Sequence, residues 1–238
     1  MINFSEFEKN TKIFFKDKNL LRQSFTHRSY INENPKTTSQ LNATVFTHNE
    51  RLEFLGDAVL ELIVTDFLYR KYPDYNEGEL TAIRSALVNA IIISEVAAKI
   101  KMNDYLLLSK GESKDIGKAR QYILANTYEA YIGAVYLDQG YEITNKFIID
   151  TLLPCTENIV QKKLWRDAKS LVQEKAQEFL SVTPSYKVLN QSGPDHDRNF
   201  NIGIYFGDQL IAQGKGKSKQ EAEQKSAEAA LKLKKWLD

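Results

Sequence analysis

Glu53 and Asp57 stand four residues apart in a stretch that is otherwise mostly apolar, and Asn126 and Glu129 stand three apart in a second such stretch. Spacings of three and four stack side chains on one face of a helix, so each pair reads as two oxygen donors aimed the same way. Two carboxylates stacked on a partly buried face repel, and each is driven toward its protonated form. A divalent cation removes that penalty. Carboxylate and amide oxygens are hard ligands that favour Mg2+, with Mn2+ as a substitute, over zinc. A cation so held suits phosphodiester hydrolysis, because it acidifies a water, orients it and neutralises charge on the leaving oxygen. An exposed acidic edge with Arg51 as its partner stays open on spacing alone, and convergence of the pairs requires the two helices to pack together.

The elements that must position these residues follow from periodicity. Residues 49–69 carry Leu52, Phe54, Leu55, Val59, Leu60, Ile63, Val64 and Phe67 around most of a helix circumference, which predicts a core helix running to about Lys71 and stopped by Pro73. Residues 1–32 predict one or two short helices, with His27 as a structural hydrogen-bonding group at a helix end. The polar stretch between Glu33 and His48 predicts an exposed loop with no role assigned to it. Ile83, Leu87, Ile91, Ile92 and Val96 predict one amphipathic helix over residues 81–100. Residues 109–121, with Gly111 and Gly117 among mixed charges, predict a solvated loop, and residues 122–138 a strongly apolar helix capped by Gly140. A last helix over residues 143–163 contains Pro154, near its middle or at a break. No convincing strand occurs in this half, so it should be all helical.

Residues 161–166 change register and predict a linker. A helix over residues 168–180 follows, then alternating runs at residues 186–191, 199–206 and 209–214, with Gly207-Asp208 as the turn between the last two. The final helix, residues 218–237, has the small-residue face Ala222, Ala227, Ala229 and Ala230. The expected organisation is therefore an all-α domain over residues 1–160 and a small α+β (α-β-β-β-α) domain over residues 167–238.

Net charge is only +1 over 238 residues, so composition alone does not announce a nucleic-acid binder, yet residues 214–235 hold seven Lys against three Glu. The single cysteine, Cys155, permits neither a disulfide framework nor a thiolate zinc site within one chain. The N-terminus lacks a basic region followed by an apolar one, and the longest apolar run, residues 86–100, is interrupted by Asn89, Ser94, Glu95 and Lys99. The expectation is a soluble cytoplasmic protein without a membrane partner.

The run Asn49-Glu-Arg-Leu-Glu-Phe-Leu-Gly-Asp-Ala-Val-Leu resembles the signature of the ribonuclease III family. Thr26-His-Arg-Ser-Tyr, Glu77-Gly-Glu-Leu-Thr, Arg84-Ser-Ala-Leu-Val and the residues around Asn126 and Glu129 are similar to further motifs of that family. Residues 167–174, Gly193-Pro-Asp-His-Asp and residues 214–231 resemble the double-stranded-RNA-binding domain that follows in the bacterial enzymes. The resemblance implies a Mg2+-dependent endoribonuclease, homodimeric, acting on double-stranded RNA. Its products would be 5′-phosphate and 3′-hydroxyl ends with short 3′ overhangs, made in processing ribosomal precursor and other structured RNAs. It implies metal or catalytic positions at Glu53, Asp57, Asn126 and Glu129, with Asp57 and Glu129 the most important, and outer acidic positions at Glu50 and Glu77.

Asn126 departs from the family pattern, which has Asp there; whether natural or engineered, it removes one negative charge. On the second domain the resemblance implies RNA contacts from Gln173 and Glu174 on the first helix, His196 in the loop, and Lys217, Ser218 and Lys219 at the start of the last helix. Its basic cluster is incomplete, since Gln220 and Glu223 stand where Lys or Arg is common, with Lys215 and Lys225 as compensating charges. Two rivals remain on the sequence: a non-cleaving double-stranded-RNA binder, favoured only by Asn126, and a metal phosphohydrolase of small nucleotides, which leaves the second domain unexplained.

Overall fold

The computed structural model describes residues 2–34, 47–162, 165, 167–194 and 198–236. The chain divides into two compact units, Met1–Lys162 and Lys163–Asp238.

The first unit is helical: α1 (Ser5–Thr11), α2 (Lys18–Ser24), α3 (Arg28–Glu33), α4 (Glu50–Lys71), α5 (Glu77–Leu87), α6 (Ala90–Lys99), α7 (Lys118–Gln139), α8 (Tyr141–Thr151) and α9 (Cys155–Gln161). Its spine is the packing of α4 on α7. α7 buries side chains nearly all round, from Ile123 to Val135, as a central helix must. The two helices cross on glycine. A Cβ built on Gly56 would lie 1.7 Å from the Glu129 carbonyl oxygen, and one on Gly133 would lie 2.2 Å from the Leu52 carbonyl oxygen. Only a residue without a side chain lets the backbones approach this closely.

Around this crossing, Phe7, Phe25, Tyr105 and Tyr131 pack edge to face, with ring centroids 5.0 Å apart for Phe7 and Phe25 and 5.3 Å for Phe7 and Tyr131. The C-terminal end of α7 is tied down by Asp138, whose carboxylate accepts the Lys16 and Asp17 backbone N–H groups at 2.9 and 2.8 Å. Among the described residues no single helix is long and apolar enough to cross a membrane; the α5–α6 pair passes by composition only when taken together across a 49° bend. Its Ile83, Leu87, Ile93 and Val96 are buried in the core.

Several boundaries differ from expectation. The amphipathic segment predicted as one helix is α5 and α6, because the Asn89 side chain accepts the N–H groups of Ile91 and Ile92 and starts a new helix. α7 begins at Lys118, inside the stretch expected to be loop, and a 3₁₀ turn, Glu112–Lys114, precedes it. Pro154 marks a break: α8 ends at Thr151 and α9 starts at Cys155. Among the described residues, the first 32 positions start three short helices, not one or two. α4 itself is covered on one side only, leaving Phe54 at 82% and Tyr69 at 72% exposure. His27 caps α3, its Nδ1 accepting the Ser29 N–H at 3.3 Å.

The second unit runs α10 (Ala168–Leu180), β1 (Pro184–Ser192), β2 (Asn199–Phe206), β3 (Gln209–Gly216) and α11 (Lys219–Lys234). The strands form one antiparallel sheet in the order β1-β2-β3, turned between β2 and β3 at Gly207, φ +60°. One core joins Leu171, Val172, Ile204, Phe206, Ala227 and Leu231. Gly214 of β3 lets α11 lie against the sheet, since a Cβ there would meet Ser226 N at 2.2 Å and Ala222 O at 2.3 Å. This is the α-β-β-β-α arrangement the alternating runs predict.

Candidate functional site

The Gly56–Gly133 crossing decides where the four oxygen-bearing side chains go. Asp57 follows Gly56 directly, Glu53 lies one turn earlier, and Asn126 and Glu129 lie two turns and one turn before Gly133. Glu129 is partly buried, and its carboxyl is pushed up to about 8, first by loss of solvent and then by the charges of Asp57, Glu53 and Glu61. Burial also raises Glu53, with Glu50 and Asp57 adding to the shift and the Asn126 side chain working against it. Each pair therefore feels the other. The two helices bring together Glu53, Asp57, Asn126 and Glu129, which spacing alone leaves open.

Among the described residues no Lys, Arg or His pairs with Glu53, Asp57 or Glu129, so Arg51 does not neutralise them. Nor do three Asp, Glu, His or Cys side chains there close into a ready ligand cluster. The donor set still fits a hard divalent cation in kind and in charge: the Glu129 carboxyl is strained upward by its acidic neighbours, and a bound cation is what relieves such strain.

Glu50 sits beside Glu53 and lies 3.8 Å from the Arg28 guanidinium and 3.7 Å from the His48 ring. Glu77 opens α5, lines a groove with Thr65, Tyr69 and Arg84, and is not among the charges acting on Glu53 or Glu129. Glu61 acts in its place. It continues the 53–57–61 stack, a spacing visible in the sequence, and Arg84 ties it off at 2.9 Å, steadied by an Arg84 hydrogen bond to Thr65 at 2.8 Å.

On the second unit Gln173 and Glu174 are exposed on α10, as are Lys217, Ser218 and Lys219 at the start of α11; His196 lies outside the described residues, as does most of the stretch between Glu33 and His48. The N-terminus of α11 is less open to a phosphate than a bare helix end. The Ser218 hydroxyl accepts the Glu221 N–H at 3.1 Å, and the Glu221 carboxylate accepts the Lys217 N–H at 2.7 Å and Lys225 Nζ at 2.6 Å. These bonds, the Lys225 one foremost, hold Glu221 below the usual carboxylate range. Lys225 is therefore not the free compensating charge it promised to be. Glu223 likewise holds Lys169 at 2.6 Å.

Comparison with known proteins meets this geometry. The Ribonuclease-III-like family matches residues 17–156 and the double-stranded RNA binding motif matches residues 168–234. The chain belongs to the ribonuclease III family of endoribonucleases. It is 41% identical to ribonuclease 3 of Borreliella afzelii, over 96% of this chain and 90% of that protein. It is also 41% identical to ribonuclease 3 of Enterococcus faecalis, over 96% of each. The nuclease domain of ribonuclease III from Campylobacter jejuni superposes with a TM-score of 0.55 at 35% identity, covering 64% of this chain and 97% of that one. In ribonuclease III terms, the helical unit is the nuclease domain and the sheet-bearing unit the double-stranded-RNA-binding domain.

Proposed function

We propose that the chain is a Mg2+-dependent, homodimeric endonuclease of double-stranded RNA, leaving 5′-phosphate and 3′-hydroxyl ends with short 3′ overhangs. It would act in the cytoplasm on ribosomal precursors and other structured RNAs. The observation that carries the reading is the uncompensated acid cluster at the α4–α7 crossing. Glu53, Asp57, Asn126 and Glu129 would hold the ion, which when bound supplies Lewis-acid activation of water and charge neutralisation at the leaving oxygen. Asp57 presents its carboxylate on the exposed side of α4, while Glu129 is half-withdrawn and fixed by the glycine crossing. A carboxyl raised by burial and by neighbouring carboxylates is one that a bound cation returns to its charged form, which suits Glu129 to holding the ion. Incubation with long duplex RNA and Mg2+ tests this, with single-stranded RNA and EDTA as controls. Cleavage of the duplex alone, abolished by EDTA, is expected; intact duplex would favour the non-cleaving binder.

That second reading rests on Asn126. An amide oxygen is a neutral ligand, so the site carries one charge fewer than with Asp. Asn126→Asp should shift the Mg2+ titration of cleavage to lower concentration, by about three- to tenfold if one charge-assisted contact is gained. Coincident titration curves would show the missing charge to be irrelevant.

Dimerisation finds support on α4. Phe54, Leu62 and Tyr69 lie on one side of this helix and are all largely exposed, and the Campylobacter relative is described as having flexibility in a region involved in dimer formation. Phe54→Asp should weaken self-association by roughly 2 kcal/mol or more, as loss of an aromatic anchor does. Sedimentation at graded concentration reads it; an unchanged dimer would place the interface elsewhere.

For RNA the reading is shape recognition through phosphates and 2′-hydroxyls, largely blind to sequence. Lys217→Ala with Lys219→Ala should lower duplex affinity and flatten its salt dependence by about one to two phosphate contacts. Glu221→Gln with Glu223→Gln should do the reverse, because Lys225 and Lys169 are then released. Unchanged binding in both pairs would move the RNA surface off α11.

A further inference from the structure

A cavity of about 590 Å³ opens beside α1, α6 and α8, lined on one side by Thr11 and Thr151. The hydroxyls of these two threonines meet those of Tyr131 at 3.4 Å and Tyr128 at 2.7 Å, both on α7. At 100° per residue, Tyr128 and Tyr131 lie on the face of α7 opposite Asn126, Glu129 and Gly133. The cavity is thus separate from the acid cluster, with the body of one helix between them.

Its lining has two parts. The floor is apolar, with Ile13 and Phe147 buried and Ile143 left 39% exposed. The rim is cationic: Lys12, Lys99, Lys101 and Lys146. The one carboxylate of the lining, Asp150, pairs with Lys146 at 3.1 Å. Among the described residues Lys12, Lys99 and Lys101 have no ion-pair partner.

Lysine at a helix C-terminus is ordinary, since it complements the dipole, and α1 and α6 both end here. That accounts for a lysine at each helix end. It does not account for three unneutralised ammonium groups around one apolar floor. Lys12 and Lys101 hold left-handed backbone at φ 59° and 61°, as Ser181 and Lys235 do at other helix ends. Glycine is the usual choice at such a position, because a side chain there is strained.

We infer that this cavity binds a nucleotide, its phosphates on Lys12, Lys99 and Lys101 and its base on the Ile13, Ile143 and Phe147 floor. The volume lies within the range of small-molecule sites. The inference stands apart from the nuclease reading, since no residue of the acid cluster takes part.

Calorimetry on the full chain in EDTA tests it with three probes: ATP, inorganic tripolyphosphate and adenosine. ATP should bind, tripolyphosphate more weakly, and adenosine without measurable heat. The Lys12→Gly, Lys101→Gly double variant should lose ATP affinity by about tenfold or more, as expected for losing charge-assisted contacts. Its melting temperature should hold or rise, because glycine accepts the left-handed backbone freely. Lys99→Gln, which leaves both caps untouched, should weaken ATP as well. Lys217→Ala with Lys219→Ala should leave ATP binding intact. Absence of ATP heat, wild-type affinity in the lysine variants, loss of ATP binding in the Lys217/Lys219 variant, or tripolyphosphate as tight as ATP would each overturn the assignment.

Discussion

Glu129→Gln should lower duplex cleavage by about 10²–10³-fold, the range for losing one preorganised electrostatic contact at a reacting centre, while RNA affinity is kept. It should also remove a pH dependence of stability from the metal-free protein. The Glu129 carboxyl sits at about 8 in the folded chain, raised by burial and by Asp57 and Glu53. Unfolded, it titrates in the ordinary carboxylate range. Between those values the unfolded chain has released the proton and the folded chain retains it, so stability falls as pH rises through the window. Above about pH 8 the penalty is fully developed, on the order of a few kcal/mol. Glutamine carries no charge at any pH. Melting temperatures in EDTA from acid to alkaline pH should therefore decline for the native chain and decline less for the variant. Parallel curves would mean that Glu129 feels no repulsion.

Gly133→Ala should be among the most damaging single methyl groups in the nuclease domain, together with Gly56→Ala, whose added carbon would lie 1.7 Å from the Glu129 carbonyl oxygen. The added carbon would lie 2.2 Å from the Leu52 carbonyl oxygen and 3.1 Å from the Gly56 nitrogen. Both are backbone atoms of α4, so no side chain can rotate aside and the helices must part. Overpacking of this kind costs roughly 1–3 kcal/mol and more where backbone must move. If the variant folds, separation of about 1 Å between the two acid pairs should lower cleavage by roughly 10²-fold. Gly111→Ala is the control, its nearest neighbour being the Ser109 hydroxyl at 3.8 Å, and it should stay within about 0.5 kcal/mol of the native chain. Denaturant melts read both. A neutral Gly133→Ala would contradict the close crossing.

The parts of this fold legible in the sequence are those where period and breaker agree. α4 ends where Pro73 requires, α10 matches its apolar spacing, and β2 and β3 turn at Gly207. The α5–α6 boundary was hidden because Asn89 sits in a continuous apolar rhythm, and a capping asparagine looks like any polar residue in a helix. The start of α7 was hidden by its charge: Lys118 and Arg120 read as solvated loop, yet Arg120 folds back onto the carbonyl oxygens of Asp115 and Glu112. The acid pairs were legible as pairs, but their convergence depends on Gly56 and Gly133 meeting across helices 77 positions apart in the chain. Glu61 was overlooked although it extends the same four-residue spacing, because no motif drew attention to it. On α11 the Glu221–Lys225 pair follows from its four-residue spacing, whereas the Lys169–Glu223 pair could not be read, since the two come together only when α10 and α11 pack side by side.

Carbon-13 carboxylate titration of Glu129 by NMR, without divalent ions and then with Mg2+, addresses the acid cluster itself. A midpoint near 8 in the metal-free chain, falling toward the ordinary carboxylate range when Mg2+ is added, is the predicted result. An ordinary midpoint in both conditions would mean that the two helices do not gather a cation-demanding site.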